Sequence, residues 1–192
     1  IPVVAAGGFR DGFGLAASLA WGACGIAMGT RFMMTQESPV PSKTKEAYIS
    51  AKVDEIKITN KFDGMSHRLI FNKYIKKIDR SNPISLFLMS VTSAWKYKQI
   101  TKASFGDLIK SFFAMLKGDD LTISQSIMSA NSPAIIQKAM VEGFPNEGAM
   151  PSGQVAGIIA NLPSCKELID QIMREFNIAA NNFNKIEGKY ER

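Results

Sequence analysis

The sequence predicts an α/β fold that opens with parallel strands and continues as a mainly helical region. Two short apolar runs, residues 2–6 and 25–28, each lead into glycine, and a helix-like segment lies between them. A continuous apolar run is typical of a strand that is buried on both faces of a parallel sheet. A strand, a helix and a second strand in this order form a βαβ unit, so the two strands are expected to be parallel.

The ends of these first elements are marked by residues with known preferences. The first strand stops at Gly7-Gly8, and Asp11 is placed to cap the following helix, which we expect to end near Gly22. The second strand leads into Gly29-Thr30, and a short helix is predicted over residues 31–35. The opening segment, residues 1–38, therefore contains two strand-helix units.

The middle segment, residues 39–145, reads mainly as helices. A proline-rich break precedes a predicted helix over residues 43–52, and a short strand is predicted over 55–59. Further helices are each bounded by Gly, Pro, Asn or Ser. They are predicted over residues 66–78, 83–98, 104–117, 121–130 and 133–142.

The last segment, residues 146–192, ends in a helix that we expect to pack back on the opening segment. Ser164 and Glu167 have the spacing of a capping box. Apolar residues then recur at the spacing of one helix face, which we expect to be buried. They are Leu168, Ile169, Ile172, Met173 and Phe176.

Composition limits the classes of function. The chain has 192 residues, and 46% of them are hydrophobic, which is enough to form a globular core. Its net charge is +6. Basic residues are dense between Lys61 and Arg80. We interpret them as a solvated helix face, with nucleic-acid or anionic-membrane contact as the alternative. Few aromatic residues alternate with them, which argues against the binding of single-stranded nucleic acid.

Neither a membrane span nor a metal site is expected. Residues 12–30 carry no charge and have about the length of a spanning helix, but five glycines interrupt them. Cys24 and Cys165 lie far apart without metal-ligand spacing near them. They are predicted to be buried thiols of a protein in a reducing compartment, the cytoplasm.

The two glycine-containing loops are the strongest indication of chemistry. Gly7-Gly8 and Gly29-Thr30 follow adjacent parallel strands, so they are expected at the same edge of the sheet. Backbone N–H groups without side chains in the way can converge on a phosphate, and the hydroxyl of Thr30 and the N-terminus of the following helix add donors. Spacing alone leaves a second interpretation open, in which these glycines only form tight turns and a helix end.

The opening residues IPVVAAGGFRDGFGLAASLAWGACGIAMGTRFMMTQES resemble the last two barrel strands of the nitronate monooxygenase family. FDGMSHRLIFNKYI and PSGQVAGII followed by PSCKELIDQI are similar to later segments of that family. The FMN-dependent enoyl-acyl-carrier-protein reductases carry a related opening pattern. The resemblance implies the C-terminal part of a (β/α)8 barrel, a fold that usually needs about 250 residues. We therefore expect the chain to be part of a longer protein.

The resemblance also implies a cofactor site. FMN phosphate would be held by Gly8 on one loop and by Ala27, Met28, Gly29 and Thr30 on the other, with Gly7 shaping the first turn. The family often has Gln at the position of Ala27, so a side-chain amide is missing here. Contacts made through the backbone would be unaffected by that difference.

The implied reaction is FMN-dependent oxidation of an alkyl nitronate by dioxygen to a carbonyl compound and nitrite. The catalytic histidine of the family lies upstream of Ile1, so no catalytic residue is assigned in this chain. His67 is expected at the surface or start of a helix. Gln154 is a candidate for the pocket wall, or else Gly153 and Gly157 only allow close packing.

For two further side chains near the loops, Arg31 and Glu37, the sequence allows more than one role. Arg31 either reaches a phosphate or forms an outward salt bridge, and Glu37 is expected to cap or pair locally. Among functions, reduction of an enoyl-acyl-carrier-protein by NAD(P)H is the first alternative to nitronate oxidation. A non-catalytic helical interaction module is the second. The sequence is compatible with a homodimer.

Overall fold

A computed structural model describes residues 1–82, 84, 85, 89 and 123–190. These residues combine helices with two small sheets, as the α/β prediction requires. The predicted helix over 104–117 lies outside the described residues, as does that over 83–98 apart from residues 84, 85 and 89. The chain forms two compact units, residues 1–39 with 153–192 and residues 40–152. The three-segment division predicted from the sequence stays a prediction.

The first unit opens with the predicted βαβ arrangement. Strand β1 (Val4–Ala6) pairs in parallel with β2 (Gly25–Ala27), and helix α1 (Gly12–Ala20) connects them. Asp11 caps α1 as predicted, because its Oδ1 accepts a hydrogen bond from the Gly14 N–H at 2.9 Å. Helix α2 (Thr30–Met33) follows β2. It is one turn long and begins one residue earlier than predicted.

The expectation that the first strand is buried on both faces is wrong. Val3 and Val4 are 60% and 55% exposed. The reason is that β1 has one strand neighbour among the described residues, β2, so most of its surface has no partner. The side chains that do bury in this unit belong instead to helices and loops, including Ala16 and Met34.

The second half of the first unit contains a 3-10 helix, Gln154–Ile158, and the long helix α6 (Cys165–Tyr190). The capping box predicted for α6 is confirmed, because Ser164 N–H donates to Glu167 Oε2 at 2.8 Å and Glu167 N–H donates to Ser164 Oγ at 3.2 Å. Leu168 and Ile172 are buried, and α6 packs against α1.

The predicted buried face of α6 is only partly correct. Ile169 and Met173 are 49% and 46% exposed. Both lie one residue after a buried position, at the border of the face that meets α1. The predicted face included every apolar residue on this side of α6, and it is therefore wider than the surface that α1 covers.

The second unit contains helix α3 (Ser42–Ser50), a 3-10 turn (Val53–Glu55), strands β3 (Ile56–Thr59) and β4 (His67–Ile70), and helices α4 (Lys73–Arg80) and α5 (Ile123–Met140). β3 and β4 form an antiparallel pair, with Ile56 opposite Ile70 and Thr59 opposite His67. The prediction of a helix over 66–78 is therefore wrong for its first part. Pairing with β3 and burial of Leu69 and Ile70 extend this segment instead.

The prediction of two separate helices over 121–130 and 133–142 is wrong, because a single helix, α5, spans Ile123–Met140. Pro133 lies inside it. Proline in a helix interior costs roughly 3 kcal/mol, but the described part of α5 buries apolar side chains almost fully, among them Met128, Ile135 and Ala139. Burial of a large apolar side chain contributes about 1.5–3 kcal/mol, so packing outweighs the local cost.

The core of this unit joins β4, α4 and α5. Its buried members are Phe62, Leu69, Phe71, Ile75, Ile78, Met128, Ile135 and Ala149.

Across the described residues, no helix combines the length and apolar character needed to cross a membrane.

Candidate functional site

Two loops leave the same edge of the β1–β2 pair. Ala6 is the register partner of Ala27, and both strands run in the same direction. Gly7-Gly8 and Met28-Gly29 therefore begin side by side. The structure thus brings together the six residues predicted to bind a phosphate: Gly7, Gly8, Ala27, Met28, Gly29 and Thr30.

The first loop needs glycine for its backbone. Gly7 and Gly8 have φ of +92° and +82°, in the left-handed region where a side chain is strained. A Cβ built on either residue has no heavy atom of the described structure within 4 Å. The loop therefore presents its peptide groups to open space.

Gly29, on the second loop, has a different reason to be glycine. Its φ of −85° and ψ of −74° are helical, so other residues could adopt this backbone. A Cβ there also has no heavy atom of the described part of the chain within 4 Å. Neither backbone strain nor a neighbouring atom of the described chain requires glycine at this position. What the missing Cβ provides is room for another molecule to approach the peptide groups of Gly29 and Thr30.

This geometry fits a phosphate group. The two loops offer exposed glycines at one strand edge, and the Thr30 hydroxyl lies at the start of the second loop's helix. With a single turn, α2 contributes individual N–H groups rather than a large helix dipole. The backbone donors are therefore the part of the arrangement that suits a dianion.

Thr30 also contacts the segment that contains Gln154. The Gly153 N–H donates to Thr30 Oγ1 at 2.8 Å. Gly153 is the residue that precedes the 3-10 helix Gln154–Ile158, and the side chain of Gln154 is exposed. The sequence did not predict the contact between residues 30 and 153, because nothing in the spacing of two distant glycines indicates it.

Arg31 does not form the outward salt bridge considered from the sequence. The side chain is buried, and its guanidinium donates to Asn161 Oδ1 at 2.8 Å and to the Asn161 carbonyl oxygen at 3.3 Å. Burial, followed by the nearby charge of Arg10, lowers the pKa of Arg31. Arg31 therefore ties α2 to the loop before α6.

Glu37 acts as a cap, but over a long sequence distance. Both of its carboxylate oxygens accept a hydrogen bond from the Cys165 N–H, at 2.8 and 2.9 Å. Cys165 is the first residue of α6. The expected capping role is confirmed.

A second polar cluster lies in the other unit, around the fully buried Asp63. One carboxylate oxygen of Asp63 is 2.9 Å from His67 Nε2 and accepts from Ser132 Oγ at 2.8 Å. His67 lies on strand β4, so its expected place at a helix surface or start is wrong. The four-residue spacing of Asp63 and His67 was a visible signal, but nothing in the sequence indicated Ser132.

The exposure of the two cysteines and of the basic residues of α4 tests two further predictions. Cys24 is exposed and Cys165 is partly exposed, so the prediction of two buried thiols is wrong. Cys24 lies in the turn before β2, where few side chains cover it. The basic residues of α4 agree with a solvated face, because Lys73, Lys76, Lys77 and Arg80 are exposed.

Comparison with known proteins identifies the family. The sequence profile described as nitronate monooxygenase matches residues 1–175. A protein of Rhodococcus jostii (strain RHA1) is 43% identical over 175 residues, which are 91% of this chain and 50% of that protein. It is named (3aS,4S,5R,7aS)-5-hydroxy-7a-methyl-1-oxo-octahydro-1H-indene-4-carboxyl-CoA dehydrogenase. A probable nitronate monooxygenase of Staphylococcus aureus (strain Newman) is 40% identical over 80 residues, 42% of this chain and 22% of that protein.

Solved structures show the same relationship. FabK from Thermotoga maritima matches with a TM-score of 0.63 and 26% identity, over 97% of this chain and 47% of that chain. A nitroalkane oxidase from Streptomyces ansochromogenes, with a TM-score of 0.60 and 24% identity over 95% of this chain and 41% of that chain, shares the fold. The chain spans about half the length of the curated relatives from Rhodococcus jostii and Mycobacterium tuberculosis, which it covers to 50% and 49%.

Proposed function

Because the chain belongs to the nitronate monooxygenase family, we propose that it forms the FMN phosphate-binding part of an oxidoreductase that dehydrogenates a coenzyme A thioester. One observation supports the cofactor more than any other. The exposed loops Gly7-Gly8 and Met28-Gly29-Thr30 leave the same edge of a parallel strand pair. This is the edge at which phosphate sites form in (β/α)8 barrels.

The proposed phosphate contacts come mainly from the backbone. The phosphate would accept hydrogen bonds from the N–H groups of Gly8, Gly29 and Thr30 and from the Thr30 hydroxyl. Gly7 shapes the first loop, and Ala27 and Met28 border the second. Because these contacts do not need a side chain at residue 27, Ala27 in place of the family's frequent Gln is compatible with them.

The chain's own residues would bind and orient the cofactor. FMN, when bound, supplies the two-electron redox chemistry of the enzyme. We place β1 and β2 as the last two strands of a (β/α)8 barrel, and we assign no catalytic residue in this chain. Gln154, exposed next to the contact between Gly153 and Thr30, is proposed for the pocket wall.

The substrate class is inferred from the extent of similarity. The Rhodococcus jostii dehydrogenase, whose name specifies a carboxyl-CoA, matches 91% of this chain. The Staphylococcus aureus probable nitronate monooxygenase, of similar percentage identity, matches only 42%. Similarity to the dehydrogenase therefore extends beyond the phosphate loops into the rest of the chain, which supports a coenzyme A thioester as the substrate.

Nitronate oxidation is the second candidate. The family profile that matches residues 1–175 is described as nitronate monooxygenase, which supports this activity. In that case the substrates are an alkyl nitronate and dioxygen. Membership of an oxidoreductase family supports either enzyme over a non-catalytic helical module. A homodimer and a cytoplasmic location stay predictions.

The first experiment is a visible absorbance spectrum of the full-length gene product purified without added cofactor. Flavin bands, with released FMN identified by mass spectrometry, are expected. A colourless protein that also fails to take up added FMN would contradict the cofactor assignment and with it both candidate reactions.

The second experiment separates the reactions. The flavoprotein is mixed anaerobically with the hydroxy-indene carboxyl-CoA named for the Rhodococcus relative, and loss of the flavin absorbance together with a product two hydrogens lighter is expected. Ethyl nitronate with dioxygen is tested in parallel, with nitrite as the product measured. Nitrite formation without any reaction of the thioester would favour nitronate oxidation, and consumption of NAD(P)H with an enoyl thioester would favour the reductase alternative.

A further inference from the structure

The contact between Gly153 and Thr30 joins two segments that are 123 positions apart in the sequence. Gly153 N–H is the donor and Thr30 Oγ1 is the acceptor, at 2.8 Å. A threonine hydroxyl has one proton to donate and two lone pairs that accept. Since this bond uses a lone pair, the hydroxyl proton remains available for another acceptor. Among the described residues, the Thr30 side chain makes no second hydrogen bond that would use it.

Close approach explains why residue 153 is glycine. Its φ of −77° and ψ of 161° are accessible to any residue, so the backbone does not require glycine. A Cβ at this position, however, would lie 2.7 Å from Thr30 Oγ1 and 3.4 Å from Thr30 Cβ. Any side chain would displace either the Thr30 hydroxyl or the start of the 3-10 helix.

We propose that Gly153 is a positioning residue for FMN: its N–H occupies a lone pair of Thr30 Oγ1, which directs the hydroxyl proton towards the cofactor phosphate. This inference rests on the proposed function. It adds a residue from the PSGQVAG segment that acts through Thr30 and does not itself touch the phosphate. The same bond fixes the backbone next to Gln154, so one contact orients both the phosphate donor and the proposed pocket residue.

A double-mutant cycle in the full-length protein tests the proposal, with the dissociation constant of FMN as the measured quantity. Thr30→Ala removes the hydroxyl and is expected to weaken FMN binding about tenfold, the usual effect of losing a hydrogen bond to a charged group. Gly153→Ala is expected to weaken it by a similar factor. The double variant is expected to bind no worse than Thr30→Ala alone, because both changes remove the same donor. Thr30→Ser keeps the hydroxyl and is expected to retain wild-type affinity.

A second readout reports on the phosphate itself. The phosphorus NMR resonance of bound FMN is expected to shift in Thr30→Ala and in Gly153→Ala but not in Thr30→Ser. Unchanged FMN affinity and an unchanged resonance in Gly153→Ala would overturn the inference, and so would losses that multiply in the double variant. A wild-type protein that binds no FMN would instead overturn the proposed function.

Hydrogen exchange covers the case in which Gly153→Ala does not fold. Exchange at the Gly153 amide is expected to be faster in Thr30→Val, which has no acceptor, than in wild type and Thr30→Ser. Faster exchange together with weaker FMN binding in Thr30→Val supports the inference. Equal exchange in all three proteins would overturn it.

Discussion

Gly12 lies directly against the backbone of Ile172. A Cβ added to Gly12 would be 2.1 Å from the Ile172 carbonyl oxygen and 2.4 Å from the Phe176 nitrogen. The Gly12 N–H also donates to Glu175 Oε2 at 2.9 Å. The first residue of α1 therefore fixes how closely α6 packs on the strand-helix unit that carries the phosphate loops.

Gly12→Ala is expected to destabilise the full-length protein by at least about 2 kcal/mol, because the backbone of α6 must move to admit a methyl group. Urea unfolding measures the change. Gly25→Ala is the control, since a Cβ there meets no atom of the described residues within 4 Å, and its effect is expected to stay within about 0.5 kcal/mol. Equal stabilities of the two variants would contradict this account of the α1–α6 contact.

Asp63→Ala is expected to destabilise the protein by about 2–4 kcal/mol, since it removes the buried carboxylate that contacts the His67 ring and accepts from the Ser132 hydroxyl and the Met65 N–H. Ser132→Ala removes one of these partners and is expected to cost about 1 kcal/mol. Asp170→Ala, which breaks an exposed pair with Lys166, is a control of the same residue type and is expected to have little effect. A small effect of Asp63→Ala in urea unfolding would show that the cluster does not support the fold.

Tyr48 is expected to make stability depend on pH in the alkaline range. Its side chain is fully buried, its hydroxyl donates to the Pro151 carbonyl oxygen, and burial raises the pKa of the phenol. The unfolded chain therefore loses this proton before the folded chain does. The contribution is fully present below about pH 10, the pKa of an unfolded tyrosine, and is lost as the pH rises above it.

Unfolding free energies of wild type and Tyr48→Phe measured across this range test the prediction. At neutral pH the variant is expected to be about 1 kcal/mol less stable, because it lacks the hydrogen bond. Its stability should fall less steeply above pH 10 than that of wild type. Parallel pH curves for the two proteins would contradict the assignment.

Glu37→Ala is expected to lower stability by about 1 kcal/mol, the usual effect of removing a helix N-terminal cap. The reason is that its carboxylate accepts the Cys165 N–H at the start of α6. Glu46→Ala, at an exposed position on α3, is the matched control. Thermal unfolding compares them, and equal midpoints for the two variants would rule out the capping role.

Local signals in the sequence were sufficient for the opening unit and for the start of α6. Glycine-terminated apolar runs with Asp11 between them predicted the β1–α1–β2 order, and Ser164 with Glu167 predicted the capping box. In each case the atoms that decide the structure lie within a few residues of one another. The shared edge of the two glycine loops was predicted for the same reason, since adjacent parallel strands must bring their following loops together. The assignment of six residues of these loops to a phosphate came from the family resemblance and stays a prediction.

Tertiary contacts decided the rest. Residues 67–70 became a strand because β3 offered hydrogen-bond partners, and α5 continued through Pro133 because its buried side chains outweigh the local cost. Arg31 is buried because Asn161, 130 positions away, accepts its donors. The sequence by itself determined the local elements and the loops that they end in. Only the folded chain could bring Gly153 to Thr30 and Gly12 to Ile172, because those pairings depend on packing between segments whose distance along the chain carries no local signal.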